Sequence, residues 1–145
     1  MNYIINKNTN YLVEEDYKTK ISEKNNFIIV NTSLLKIIDE SCNYFGSSYK
    51  GRVSGTKYLI EVTSKPPIII NESSLLVIFP LFSPRRNDSL WVNYNNVLTY
   101  RKITAKSIEV IFKNYEKVKF NVSYNIFNNQ IYKCSRLLSI YTLRK

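Results

Sequence analysis

The three glycines of this chain, Gly46, Gly51 and Gly55, all fall in Phe45-Gly-Ser-Ser-Tyr-Lys-Gly-Arg-Val-Ser-Gly-Thr56. Glycine accepts positive φ and lets a backbone come close to a ligand. With Ser47, Ser48, Lys50 and Arg52 interleaved, the segment reads as a tight cationic loop of the kind that meets phosphate. A surface turn with solvated cations is the competing reading, since turns collect glycine in any protein. Gly46 and Gly51 have the spacing of a Walker loop. However, Arg52-Val53 stands where that motif needs Lys-Ser/Thr, so nothing is placed to hold Mg²⁺. The flanking pattern also predicts a helix before the loop and a strand after it, the reverse of a Walker loop. Nucleoside triphosphate hydrolysis is excluded.

Other catalytic chemistry fails on inventory. The chain has no histidine, hence no Ser-His or Cys-His couple and no imidazole ligand for zinc. Glu14-Glu15-Asp16 and Asp39-Glu40 read as a turn and a polar helix face. The expectation is a binding protein, not an enzyme, with no cofactor and no metal. A second basic site lies at Pro84-Arg85-Arg86, shortly before the single tryptophan, Trp91. Planar, weakly hydrated guanidinium groups suit phosphate forks and narrow grooves. A solvated turn is the alternative for the arginines, and a core position is expected for Trp91.

Charge distribution points the same way. Residues 1–40 hold five basic and six acidic side chains, while residues 41–145 hold sixteen and five, within a net charge of +10. That asymmetry favours a polyanion or a membrane surface as partner. No run is long and apolar enough to span a bilayer, and Met1-Asn-Tyr-Ile-Ile-Asn-Lys7 lacks the features of a signal peptide. Cys42 and Cys134 lack Cys-x-x-Cys spacing and read as buried thiols in a reducing cytoplasm, with a single disulfide between them as the alternative.

The elements that must position these residues follow from periodicity. Short β-branched or aromatic runs predict strands at Tyr3–Ile5, Tyr11–Val13, Phe27–Val30, Lys57–Thr63, Pro67–Ile70, Leu75–Phe79, Leu90–Val92, Val97–Ile103, Ile108–Phe112 and Val118–Val122. The stripe Leu34, Leu35, Ile37, Ile38, Cys42 and Phe45 predicts a helix capped after Thr32-Ser33 and stopped at Gly46. Phe127, Ile131, Cys134, Leu138 and Tyr141 predict a second helix from about Asn125. The expected fold is α+β, one domain over residues 1–145, mainly antiparallel strands with a central and a C-terminal helix.

The run from Ile37 to Thr56 resembles the ComK family of competence transcription factors. So do Ser64-Lys-Pro-Pro-Ile68, Phe79-Pro80, the segment from Arg86 to Trp91, and Ser123-Tyr-Asn-Ile-Phe-Asn-Asn-Gln-Ile-Tyr132. The resemblance implies a cytoplasmic, nucleoid-associated regulator that binds paired AT-rich boxes of duplex DNA through the minor groove, as a dimer or a dimer of dimers. A narrow A-tract groove attracts inserted Arg or Lys. Arg52, Lys65 and Arg86 fall on basic positions of the family pattern, whereas Lys50 and Arg85 are candidates from charge alone. Gly46, Ser47, Ser48, Gly51 and Gly55 would let the backbone approach the groove walls. The chain departs from the family pattern at Asn87, Ser89, Tyr94 and Asn96. Typical relatives also continue past the position of Lys145, into a segment associated with activation and regulated proteolysis. A chain ending there is expected to bind DNA but activate poorly. The alternatives are a modulator that pairs with a full-length ComK relative, and a single-strand binder using Tyr and Phe as stacking platforms.

Overall fold

The computed structural model describes residues 3–83 and 88–144. Its elements are β1 (Thr9–Glu15), β2 (Lys18–Glu23), β3 (Asn26–Val30), α1 (Leu34–Tyr44), α2 (Tyr49–Ile60), β4 (Ile68–Asn71), β5 (Leu76–Pro80), β6 (Leu90–Asn93), a 3₁₀ turn (Tyr94–Asn96), β7 (Val97–Thr104), β8 (Ser107–Phe112), β9 (Lys117–Phe120) and α3 (Tyr124–Leu143). The architecture is α+β with antiparallel pairing throughout, as the periodicity predicts. Two corrections concern the strands. Tyr3–Ile5 is irregular, and Lys57–Thr63 is mostly the end of a helix that the strand pattern concealed.

Six strands form one sheet in the order β3-β2-β1-β6-β5-β4, and β7-β8-β9 form a second. Strand alternation gives the large sheet two apolar faces. Leu12, Ile21, Ile68, Ile78 and Trp91 pack with Leu34, Ile37, Ile38 and Cys42 of α1. On the other face, Tyr11, Val77, Phe79 and Val92 pack with Ile108, Val110 and Phe112 of β8 and with Phe127, Cys134 and Leu137 of α3. Cys42 and Cys134 therefore lie in cores on opposite sides of one sheet, both as free thiols. Burial pushes the Cys42 thiol up to about 11 and raises Cys134 well above its ordinary value.

An amide network ties the two sheets at one end. Asn10 Nδ2 donates to Asn114 Oδ1 (3.1 Å) and Glu116 Oε1 (2.9 Å), Ser22 Oγ donates to the same Glu116 oxygen (2.5 Å), and Asn96 Nδ2 donates to Asn10 Oδ1 (3.0 Å). Buried amides are tolerated when their donors are satisfied in this way.

α2 belongs to neither face alone. Tyr49 and Val53 pack on the α1 side, whereas Ile60 and Leu59 join the α3 side. The helix thus passes beside β4, held there by a hydrogen bond from Thr56 Oγ1 to Pro67 O (2.6 Å).

Candidate nucleic-acid interface

The glycine segment leads from helix to helix, not from helix to strand. α1 starts at Ser33, whose hydroxyl accepts from Lys36 N, and closes with Gly46 at φ +85°. Gly46 N donates to Asn43 O (3.0 Å) and Ser47 N to Cys42 O (2.9 Å), the closure that a left-handed residue permits. α2 then begins. Ser48 is its N-cap and accepts from Gly51 N (2.9 Å), while Tyr49 N donates to Asp39 Oδ1 of α1 (2.9 Å). The Tyr49 ring meets fully buried Trp91 edge-on, with centroids 6.2 Å apart. Gly46, Ser47 and Ser48 therefore form a short turn between two helices, and the loop assignment is corrected for Gly51 and Gly55, which are helical.

Anchoring through Tyr49, Val53, Thr56 and Ile60 decides which side of α2 faces outward. Lys50, Gly51, Ser54, Gly55, Lys57 and Tyr58 are exposed. Three- and four-residue steps bring Gly51, Ser54, Gly55 and Tyr58 onto one strip. Gly55 has no internal steric reason to be glycine: its φ is not in the left-handed range, and an added Cβ would meet no atom within 4 Å. Glycine inside a helix costs about 1 kcal/mol relative to alanine. At Gly51 an added Cβ would come within 3.1 Å of Ser48 Oγ, so the capping turn itself limits bulk there.

Arg52 does not project into solvent. Its side chain is 12% exposed, and Nη1 lies 2.5 Å from Glu72 Oε1, in the turn between β4 and β5. Burial and a hydrogen bond to Glu72 hold the Tyr141 phenol of α3 above its ordinary value. Arg52 and Tyr141 also line a cavity of about 80 Å³ with Thr56, Leu59, Ile69 and Leu137. In this arrangement Arg52 joins α2 to the β4–β5 turn beside α3.

Lys65 lies beyond the far end of α2, with φ at +45°. Gln130 Nε2 of α3 donates both to Lys65 O (3.0 Å) and to Pro80 O (2.7 Å). One amide thus ties the Lys65 loop to the end of β5, just before the segment that carries Arg85 and Arg86. Those two arginines lie outside the described residues. Lys133 Nζ donates to Ser64 O (2.9 Å), and burial, reinforced by the nearby Lys65 cation, lowers its pKa. Arg136, exposed one turn further along α3, adds to the same side. Lys50 stands apart, at the opposite end of a helix roughly 18 Å long at 1.5 Å per residue.

The cations missed in the sequence are Lys57, Lys133 and Arg136. For Lys57 the signal was available in the four-, three- and four-residue steps of Tyr49, Val53, Thr56 and Ile60, which put it on the outer side. Among the described residues no group of three or more Cys, Asp or Glu could hold a metal ion, and no helix is long and apolar enough to cross a membrane.

The family model described as "ComK protein" matches residues 1–145. The competence transcription factor of Bacillus subtilis (strain 168) is 36% identical over 119 residues, which cover 82% of this chain and 62% of that protein. No solved structure matches the chain.

Proposed function

The chain belongs to the ComK family, and from that premise we propose that it is a cytoplasmic regulator of competence genes. It binds paired AT-rich boxes of duplex DNA as a dimer, through the minor groove. The observation that carries this reading is the outer strip of α2, where Gly51, Ser54 and Gly55 leave a low surface between Lys50 and Lys57. Small residues let a helix approach the sugar–phosphate wall, and flanking ammonium groups neutralise the phosphates they meet. Lys65 supplies a further cationic contact beyond the other end of α2, and the sequence adds Arg85 and Arg86 as basic candidates. Arginine is the residue type that a narrow A·T groove favours. Arg52 supports this surface from behind by holding Glu72.

Stacking of single strands on a sheet has less support. α1 and the second sheet with α3 cover the two faces of the large sheet except along β3. The outer face of the small sheet carries Thr99, Arg101, Glu109, Ile111, Lys117 and Lys119, with no aromatic ring among them.

Anisotropy titrations at one salt concentration test the proposal with three duplexes of equal length: A·T-rich, G·C-rich, and one with I·C pairs in place of A·T. An I·C pair keeps the minor-groove pattern of A·T while changing the major groove. Tight binding to A·T and I·C duplexes and weak binding to G·C is expected. Equal affinity for all three refutes sequence preference, and loss on I·C alone refutes minor-groove reading.

A further inference from the structure

We propose that two copies of this chain associate by antiparallel pairing of β3 with β3, joining their large sheets edge to edge. The proposal gives a location to the dimer invoked above and does not depend on DNA binding.

The described strands present four sheet edges, and three are guarded. β4 contains a register shift between Ile69 and Asn71 and has α2 alongside it. β7 carries Arg101 and Lys102 and two register shifts, and β9 carries Lys117 and Lys119. Charges, bulges and covering helices are the devices that keep an edge from pairing with another chain. β3 has none of them. It runs Asn26-Phe-Ile-Ile-Val30, pairs with β2 without a register shift, and leaves Phe27 50%, Ile28 37% and Ile29 61% exposed.

The occupant is a second copy because the strip fits itself. No ionisable side chain occurs from Asn25 to Leu35 in a chain of net charge +10, so two equally cationic molecules can meet there without facing like charges. Lys20, the neighbouring cation, lies with Nζ 4.0 Å from the centroid of the Phe27 ring of its own chain. A two-fold axis at Ile28 places Ile28 opposite Ile28 and Phe27 opposite Ile29 on the face shared with Ser22 and Lys20. Cross-strand apolar pairs of this kind stabilise a ladder, and like charges directly opposite destabilise it. β3 is also the edge furthest from β4. The pairing therefore leaves both α2 helices at the outer ends of a joined sheet, whose two β4 strands lie at most about 53 Å apart at 4.8 Å per strand. One dimer then offers two separate DNA-binding faces.

Sedimentation equilibrium without DNA tests this on the whole chain, with the parent, Ile28→Lys, Ile28→Glu and an equimolar mixture of the two variants. The variants change an exposed position, and a circular dichroism melt checks that each is folded. The parent is expected to dimerise, and each variant alone to associate at least about tenfold more weakly. The mixture is expected to regain dimers, because the introduced ammonium and carboxylate groups then face each other across the two-fold axis. A monomeric parent, variants that associate like the parent, or a mixture that stays monomeric would each overturn the proposal. Because no DNA is present, failure here is separable from failure of the DNA-binding reading.

Discussion

Replacing Gly55 with alanine separates what the fold needs from what a ligand needs. Gly55 is an exposed interior residue of α2, and a Cβ there meets no neighbour within 4 Å. The substitution should stabilise the fold by about 1 kcal/mol, the propensity difference between glycine and alanine in a helix. For a domain of this size that raises the melting midpoint by about 3 °C. The same methyl group raises the floor of the outer strip between Lys50 and Lys57. If DNA packs closely there, the added bulk should weaken AT-rich binding by about 1–3 kcal/mol, the usual cost of overpacking a tight contact. A thermal melt and an anisotropy titration of the same preparation read both effects. A higher midpoint with unchanged affinity would refute close approach along α2. A lower midpoint would show that Gly55 has an internal role that the geometry does not contain.

Other consequences follow from the same surfaces and cores. Lys50→Ala and Lys57→Ala should each lower the slope of log affinity against log salt by about 1, at nearly unchanged melting temperature. Arg52→Ala should lower the urea midpoint, at a cost of about 1–2 kcal/mol for a charged hydrogen bond whose partner Glu72 is partly hydrated. Any affinity loss should track the unfolded fraction. Alkaline titration should destabilise the fold. Burial holds the Cys42 thiol at about 11 in the folded chain against an ordinary 9.0, and pushes Tyr11 up to about 12 from 10.0. Folded pKa values above the unfolded ones mean that their contribution is complete below about pH 9 and is lost as pH rises toward 12. The lowered Lys133 acts in the opposite direction, so melts from pH 8 to 11 that showed rising stability would contradict the dominance of Cys42 and Tyr11. Neither thiol should react with Ellman's reagent until the protein unfolds, and fast reaction of the native protein would contradict their burial.

Long amphipathic helices were legible because their caps and stripes agree. Ser33 and Gly46 bound α1, and Phe127, Cys134 and Leu138 mark one side of α3. Most strands were legible from β-branched runs. β2 was not: Lys-Thr-Lys-Ile-Ser-Glu mixes charge with a single large apolar residue, and its turns lack glycine. Asp16-Tyr17 and Lys24-Asn25 instead take positive φ at both central positions, the tight hairpin geometry that usually recruits Asn or Gly. α2 was concealed for a different reason. Gly46, Ser47, Ser48, Gly51, Ser54 and Gly55 imitate a loop, and Lys57 to Thr63 imitates a strand, while tertiary anchors at Asp39, Trp91 and Pro67 hold the helix. Propensity is a weak prior when packing supplies such anchors.

The candidate site was legible by residue type and not by placement. Clustered glycine, serine and lysine pointed to a surface that admits a close polyanion, and the structure puts Lys50, Gly51 and Gly55 on the exposed side of a helix instead of a loop. The role of Arg52 could not be read locally, because its partner Glu72 is twenty residues away and on another element.

Amide hydrogen exchange with and without an A-tract duplex tests the central claim most directly. Added protection over residues 48–58, extending to Ser64 and Lys65, is the expected footprint. Protection confined to Arg101, Lys117 and Lys119 on the small sheet, with α2 unchanged, would contradict it.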